Sequence, residues 1–211
     1  MMDNSWRLGD AQALADHYPY TFYKPSPEAI ARLRIGDLAK LIFEFDSDDP
    51  QAPGAERMWV LITDIHDNHR FSGSLENIPL YIKDLRAHDP VRFEARHIMG
   101  VQIPDPVPSL ADKYLPRCFV TRKVLSDGEP VGLLYRETPE SEDDSGWRIL
   151  AGNEDPAYLD DPDNTAYVSL GAVLTEDDSI IGLLDREVGA EFVRAGNGAF
   201  IEQSEPPVST A

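Results

Sequence analysis

The stretch Cys118-Phe119-Val120-Thr121-Arg122-Lys123-Val124-Leu125, followed by Ser126-Asp127-Gly128-Glu129 and by Val131-Gly132-Leu133-Leu134-Tyr135-Arg136, decides how the second half of the chain reads. Two runs rich in β-branched, aromatic and aliphatic side chains flank four residues with turn chemistry, where Gly128 can supply a positive φ. The reading is a β-hairpin with strands at Cys118–Leu125 and Val131–Arg136. Downstream, Asp143-Asp144-Ser145 reads as an acidic turn before a strand at Gly146–Leu150. Asn153–Asn164 reads as a long acidic loop and Ser179–Leu184 as one helical turn. Val188–Arg194 and Ala199–Glu202 form a closing hairpin around Gly196-Asn197-Gly198.

Upstream, Gly100–Pro116 carries four prolines and little periodicity apart from Leu110–Leu115, the composition of a semi-rigid linker. Before it, Pro25-Ser26-Pro27-Glu28 has the signs of a helix start, with Ser26 as cap and Pro27 at the first helical position. Ile30 and Leu33 share one face of that helix. Gly36-Asp37 turns the chain into a strand at Leu38–Phe45, and Asp46–Ala55 is a loop. Further strands are expected at Arg57–Ile65, Arg70–Leu75 and Leu80–Ile82, with alternating apolar and charged residues over Val91–Ile98. One echo stands out. Leu33-Arg34-Ile35-Gly36-Asp37 leads to Lys40-Leu41, and Leu85-Arg86-Ala87-His88-Asp89 leads to Arg92-Phe93 at the same offsets. Both look like a turn delivering the chain into a strand; the echo is too short for a solenoid repeat, and chance similarity is the alternative.

The expected fold class is therefore α+β, in two small β-rich domains. Residues 1–99 form a barrel-like antiparallel unit with a leading helix, 100–116 a linker, 117–202 an antiparallel sheet with short helices, and 203–211 a disordered tail.

With 19 basic and 38 acidic side chains the chain has a formal charge of −19. Residues 1–110 hold 11 basic and 17 acidic groups (−6) and residues 111–211 hold 8 and 21 (−13). Nucleic acid is disfavoured as a partner, because neutralising phosphates takes clustered Lys and Arg. The acid either keeps the protein soluble or faces a basic partner. No apolar run of membrane-spanning length and no secretory signal pattern occurs, and the lone Cys118 has no disulfide partner, so a cytoplasmic protein without membrane association is expected.

No glycine-rich phosphate loop is present. Cys118 lies far in sequence from all five histidines and reads as a buried hydrophobe. His66 and His69 beside Asp64 and Asp67 have no third metal ligand, and Asp160-Asp161-Pro162-Asp163-Asn164 lacks the glycine and closing glutamate of a calcium loop. No catalytic centre, metal or other cofactor is expected.

Cys118–Val124, Pro130-Val131-Gly132, Tyr135-Arg136-Glu137, Asp144–Arg148, Gly152–Asp155, Tyr158-Leu159-Asp160, Ser179-Ile180-Ile181, Leu183-Leu184-Asp185, Val188–Phe192 and Gly198-Ala199-Phe200 together resemble the bacterial immunity-protein thirty-three-like domain, over most of residues 117–202. Gly182 stands where that family is expected to carry proline. Through Gly36-Asp37, Lys40–Phe43, Glu56–Val60 and Asn77-Ile78-Pro79 the first half resembles a small β-domain found upstream of that module. The resemblance implies a non-enzymatic protein that protects a bacterium by binding a toxin, and acidic immunity proteins often face basic nucleases. The partner-binding candidates are Asp143, Asp144, Trp147, Glu154, Asp155, Tyr158, Asp160 and Asp161. Trp147 is either an ordinary core tryptophan or an aromatic anchor inside that acidic rim, and exposure of its ring separates the two. The alternative function is an enzyme or ligand-binding protein with a site between the domains.

Overall fold

The computed structural model describes residues 5–47, 51–67 and 69–203. The chain gathers into two compact units, Met1–Ser109 and Leu110–Ala211. Of the expected tail, 204–211 lie outside the described residues. At its start, the Gln203 N–H donates to the Glu191 carbonyl.

The first unit opens with β1 (Trp6–Leu8) and α1 (Ala11–His17), a helix whose start is fixed by Asp10 accepting the N–H groups of Gln12 and Ala13. In α2 (Pro27–Ile30) Ser26 caps the Ala29 N–H and Pro27 takes the first position, as the sequence predicts. β2 (Leu38–Phe45), β3 (Ala55–Asp67), β4 (Arg70–Leu75) and β5 (Pro90–Glu94) follow as antiparallel neighbours. The alternation over Val91–Ile98 breaks at Glu94, whose N–H donates to His97 Nδ1. A 3-10 turn at Ala95–His97 then swings β6 (Ile98–Val101) onto β2. Because β1 and β6 share one edge of β2, the sheet curls into a nearly closed, barrel-like antiparallel unit around Leu41, Phe43, Val60, Ile62, Phe71 and Ile98. Leu80–Ile82 is not a strand. The N–H groups of Leu80 and Tyr81 both donate to Glu56 Oε1, at 2.6 and 3.0 Å, so neither is offered to a ladder.

The sequence echo is a structural repeat. In each copy the leucine is buried, and an aspartate folds back onto the arginine N–H: Asp37 onto Arg34 and Asp89 onto Arg86, both at 2.8 Å. In each the aspartate N–H also returns to the arginine carbonyl at 3.1 Å. The residue before the aspartate is left-handed, Gly36 at φ 97° and His88 at φ 71°.

The second unit contains α3 (Leu110–Lys113), β7 (Arg117–Thr121), α4 (Arg122–Leu125), β8 (Leu133–Arg136), β9 (Asp144–Leu150), α5 (Pro156–Leu159), β10 (Thr165–Ser169), α6 (Leu170–Glu176), β11 (Glu191–Arg194) and β12 (Phe200–Glu202). The six-stranded sheet has the order β10-β7-β9-β8-β11-β12 and is antiparallel except for the β7–β9 pair. The hairpin expected at 118–136 is corrected. Beyond Thr121 the chain turns helical, with Ser126 N–H returning to the Arg122 carbonyl and Val124 buried, and β9 separates β7 from β8. Gly128, at φ 74°, serves the exit from that helical turn. The closing hairpin is present as β11 and β12, and Ser179–Leu184 falls on a 3-10 turn at Asp178–Leu183. The acidic stretch Asn153–Asn164 folds as α5 and a 3-10 turn at Pro162–Asn164. Among the described residues no helix is long and apolar enough to cross a membrane.

Candidate functional site

Strand β9 runs through the middle of the sheet, and its alternation decides which candidates can meet a partner. Trp147 and Ile149 face the side covered by α4, α6 and the turn at Asp178–Leu183, where Val124, Val173, Leu174 and Ile180 are buried. Trp147 is fully buried, its indole N–H donates to the Leu184 carbonyl at 3.2 Å, and Phe192 packs beside it. The anchor reading of Trp147 is thereby corrected: the ring is core. Asp144 is buried too. Its two oxygens accept from Arg148 Nη1 and Nη2, each at 3.0 Å, and from the N–H groups of Gly146 and Glu140. The Arg148 hydrogen bonds hold the Asp144 carboxyl down at about 2, against an ordinary 3.8. Arg148 Nε donates to Glu137, so the guanidinium is fully engaged.

The remaining candidates belong mostly to one segment. Glu154 accepts from Thr121 Oγ1 at 2.6 Å and from the N–H groups of Ala151 and Gly152, both at 2.8 Å. Burial pushes its carboxyl up, but these bonds outweigh burial and hold it below the ordinary value. Asp155 caps α5 through the Tyr158 N–H, and Asp161 caps the following 3-10 turn through the Asp163 N–H. Tyr158 is half-buried beneath Lys123, with its hydroxyl lacking a hydrogen-bond partner. Asp143, Asp155, Asp160 and Asp161 are exposed. The structure does not gather these acids into one rim. Asp143 precedes β9 and Glu154 follows it, so the two groups stand at opposite ends of a seven-residue strand, roughly 20 Å apart at the usual rise.

Between those ends lies the sheet face opposite the helices, which the sequence reading did not single out. The pairing registers place Tyr167, Phe119, Arg148, Tyr135 and Glu191 side by side across five strands. The next row is Leu150, Leu133, Val193 and Ile201, with the Thr165–Thr121 pair on the two strands beyond. In the first row Arg117 lies over the Tyr167 ring at 5.3 Å, Tyr167 packs on Phe119 at 4.8 Å, and Arg148 lies over Phe119 at 4.8 Å. A cavity of about 110 Å³ opens between the rows, closed at one side by Leu159 of α5. The signal in the sequence was the alternation of β7, where Phe119 sits between the buried Cys118 and Val120.

In the first unit, His66 and Arg70 line a depression of about 510 Å³ with Arg92 and His97. His66 Nε2 lies 2.8 Å from Ser72 Oγ, and its Nδ1 lies 3.6 Å from Asp64, beyond hydrogen-bond reach. Among the described residues no three His, Cys, Asp or Glu side chains converge as a metal site.

A six-stranded sheet with helices on one face and an aromatic and aliphatic surface on the other defines a small α+β module. Residues 118–204, within the second unit, match the family model of the immunity protein Imm33 domain. No curated protein and no solved structure matches the chain.

Proposed function

We propose that the protein is an immunity protein that neutralises a toxin by binding it stoichiometrically, without turnover, and that the toxin domain is basic and met in the cytoplasm. The observation that carries this reading is the Imm33 match, which spans residues 118–204 of the second unit. Its chemistry is in keeping with binding. The Cys118 thiol is buried and pushed up to about 12 by burial, so it supplies no thiolate at neutral pH. Asp144 and Arg148 neutralise each other, and Glu154 and Asp161 are engaged in holding backbone N–H groups. The exposed carboxylates of a half carrying −13 favour a basic partner.

The test sequences the genes flanking this one and uses the purified full chain with the toxin domain they encode; flanking genes that encode none would count against the reading. Calorimetry should give a 1:1 complex, toxin activity should fall in proportion to complex formed, and both chains should keep their masses. Absence of a complex, or loss of toxin activity at catalytic amounts of this protein, would overturn the reading.

A further inference from the structure

We propose that the toxin docks on the open face of the second unit's sheet, with aliphatic or aromatic side chains of the toxin on Leu133, Val193 and Ile201 and lysines or arginines reaching both ends of β9. This inference rests on the binding role proposed above and names its surface and the chemistry of its occupant.

Single apolar side chains on a protein surface are ordinary. Here they are not single. Leu150, Leu133, Val193 and Ile201 stand in register on four adjacent strands, spaced by the roughly 4.8 Å between neighbouring strands. Val193 is 39% exposed and Ile201 55%, and Leu159 across the cavity is 45% exposed. The parallel row of Tyr167, Phe119 and Arg148 is held in place by ring contacts and by the Asp144 and Glu137 carboxylates. Those groups lose little further freedom when a partner arrives, and aromatic and arginine side chains of this kind dominate interface energies.

Charge decides the occupant. Arg148 is already neutralised by Asp144 and Glu137, and Arg117 lies over Tyr167 at the sheet edge. At the β9 start stand Glu137, Glu140 and Asp143, at its end Asp155, Asp160 and Asp161, and Glu191 closes the aromatic row. An apolar centre flanked on both sides by carboxylates is complementary to an apolar surface ringed by Lys and Arg. A second copy of this chain would bring the same carboxylates against one another, and nucleic acid would meet them with phosphates.

The experiment measures affinity of the full chain for the adjacent toxin domain by calorimetry, for wild type, Val193→Glu, Ile201→Glu and the double variant. Ile78→Glu, in the exposed surface of the first unit, is the control. Each single substitution should weaken binding at least tenfold and the double at least a hundredfold, while melting temperature and Ile78→Glu binding stay at wild-type levels. Hydrogen exchange on the wild-type complex supplies a reading independent of any variant, and protection should concentrate on β8, β11 and β12. If wild type binds but the double variant binds within twofold, or protection falls elsewhere, this surface is wrong and the binding role stands. If wild type does not bind, both fail. A concentration-dependent dimer that Ile201→Glu abolishes would make the face a self-association surface and overturn the proposal.

Discussion

Replacing Asp144 by Asn tests the electrostatic centre of the second unit. The Asp144 side chain is 2% exposed and that of Arg148 is 9%, so the pair is out of water and both carboxylate oxygens are used. Arg148 holds Asp144 at about 2, well below the ordinary 3.8. That depression corresponds to about 2 kcal/mol of linked stability. Because the folded value lies below the unfolded one, this contribution is fully present above about pH 5 and is lost as pH falls through 4 toward 2. Asn cannot carry the charge, and Glu137 would be the one carboxylate left at hydrogen-bond distance from Arg148, beside the Trp147 carbonyl. Breaking a buried pair costs about 3–5 kcal/mol. With Glu137 retained, about 3 kcal/mol is expected at pH 7.

The assay is urea unfolding at pH 7, 5 and 3, followed by NMR at the Trp147 indole N–H, which reports the second unit because it donates to Leu184. Glu154 and Asp177 are also depressed, and they titrate in both proteins. The difference between wild type and Asp144→Asn therefore isolates Asp144. It should be largest at pH 7 and shrink below pH 4. Parallel stability curves over that range would refute the assignment of the charge to this pair.

Three further outcomes are expected. His88→Gly should stabilise the first unit by about 0.5 kcal/mol and Gly36→Ala should destabilise it by about 1 kcal/mol, since each position is left-handed and the space around Gly36 is open; urea titration checks both signs. Cys118 should react with a thiol reagent at pH 8 only at the rate of global unfolding, and fast labelling of the native protein would contradict its burial. Charge reversal at Asp143 and Asp160 should slow association with the basic partner at low salt. That effect should vanish near 1 M salt, where the Debye length is about 3 Å, and stopped-flow rates insensitive to salt would remove the steering role.

Local chemistry carried most of the first unit. Ser26-Pro27 announced a helix, β2 and β4 begin and end where composition changes, and the Leu-Arg-x-x-Asp echo marked two turns built the same way. Long-range pairing was not legible. Val124 and Leu125 have strand composition, yet the burial of Val124 in a helical turn sets them apart from β7, and a parallel β7–β9 pair leaves no local signature. α1, absent from the sequence reading, starts at a cap, Asp10, whose residue type is a helix-start signal. At the site, the acidic residues were found but their roles were not, because a carboxylate that caps a backbone and one that waits in solvent look alike in sequence. Asp144 needed Arg148 four residues on to be recognised as buried.

That distinction governs how charge can act in this protein. Asp155 and Asp161 cap helical turns, Glu154 ties Thr121 to the turn after β9, and Asp177 holds Val131 N–H and the Arg194 guanidinium. Reversing any of these removes a hydrogen bond from the fold as well as a charge from the surface, so a fall in binding would not separate the two causes. Glu140 and Asp143 precede β9, and Asp160 follows α5. Their side chains stand exposed, so they contribute to the long-range field at little structural cost. They lie at the two ends of the strand whose middle carries the aromatic and aliphatic rows. Selection for a basic partner would act on these exposed acids and on Val193 and Ile201, whereas selection for the fold alone would hold Asp144, Glu154 and Asp177 and let the exposed positions drift.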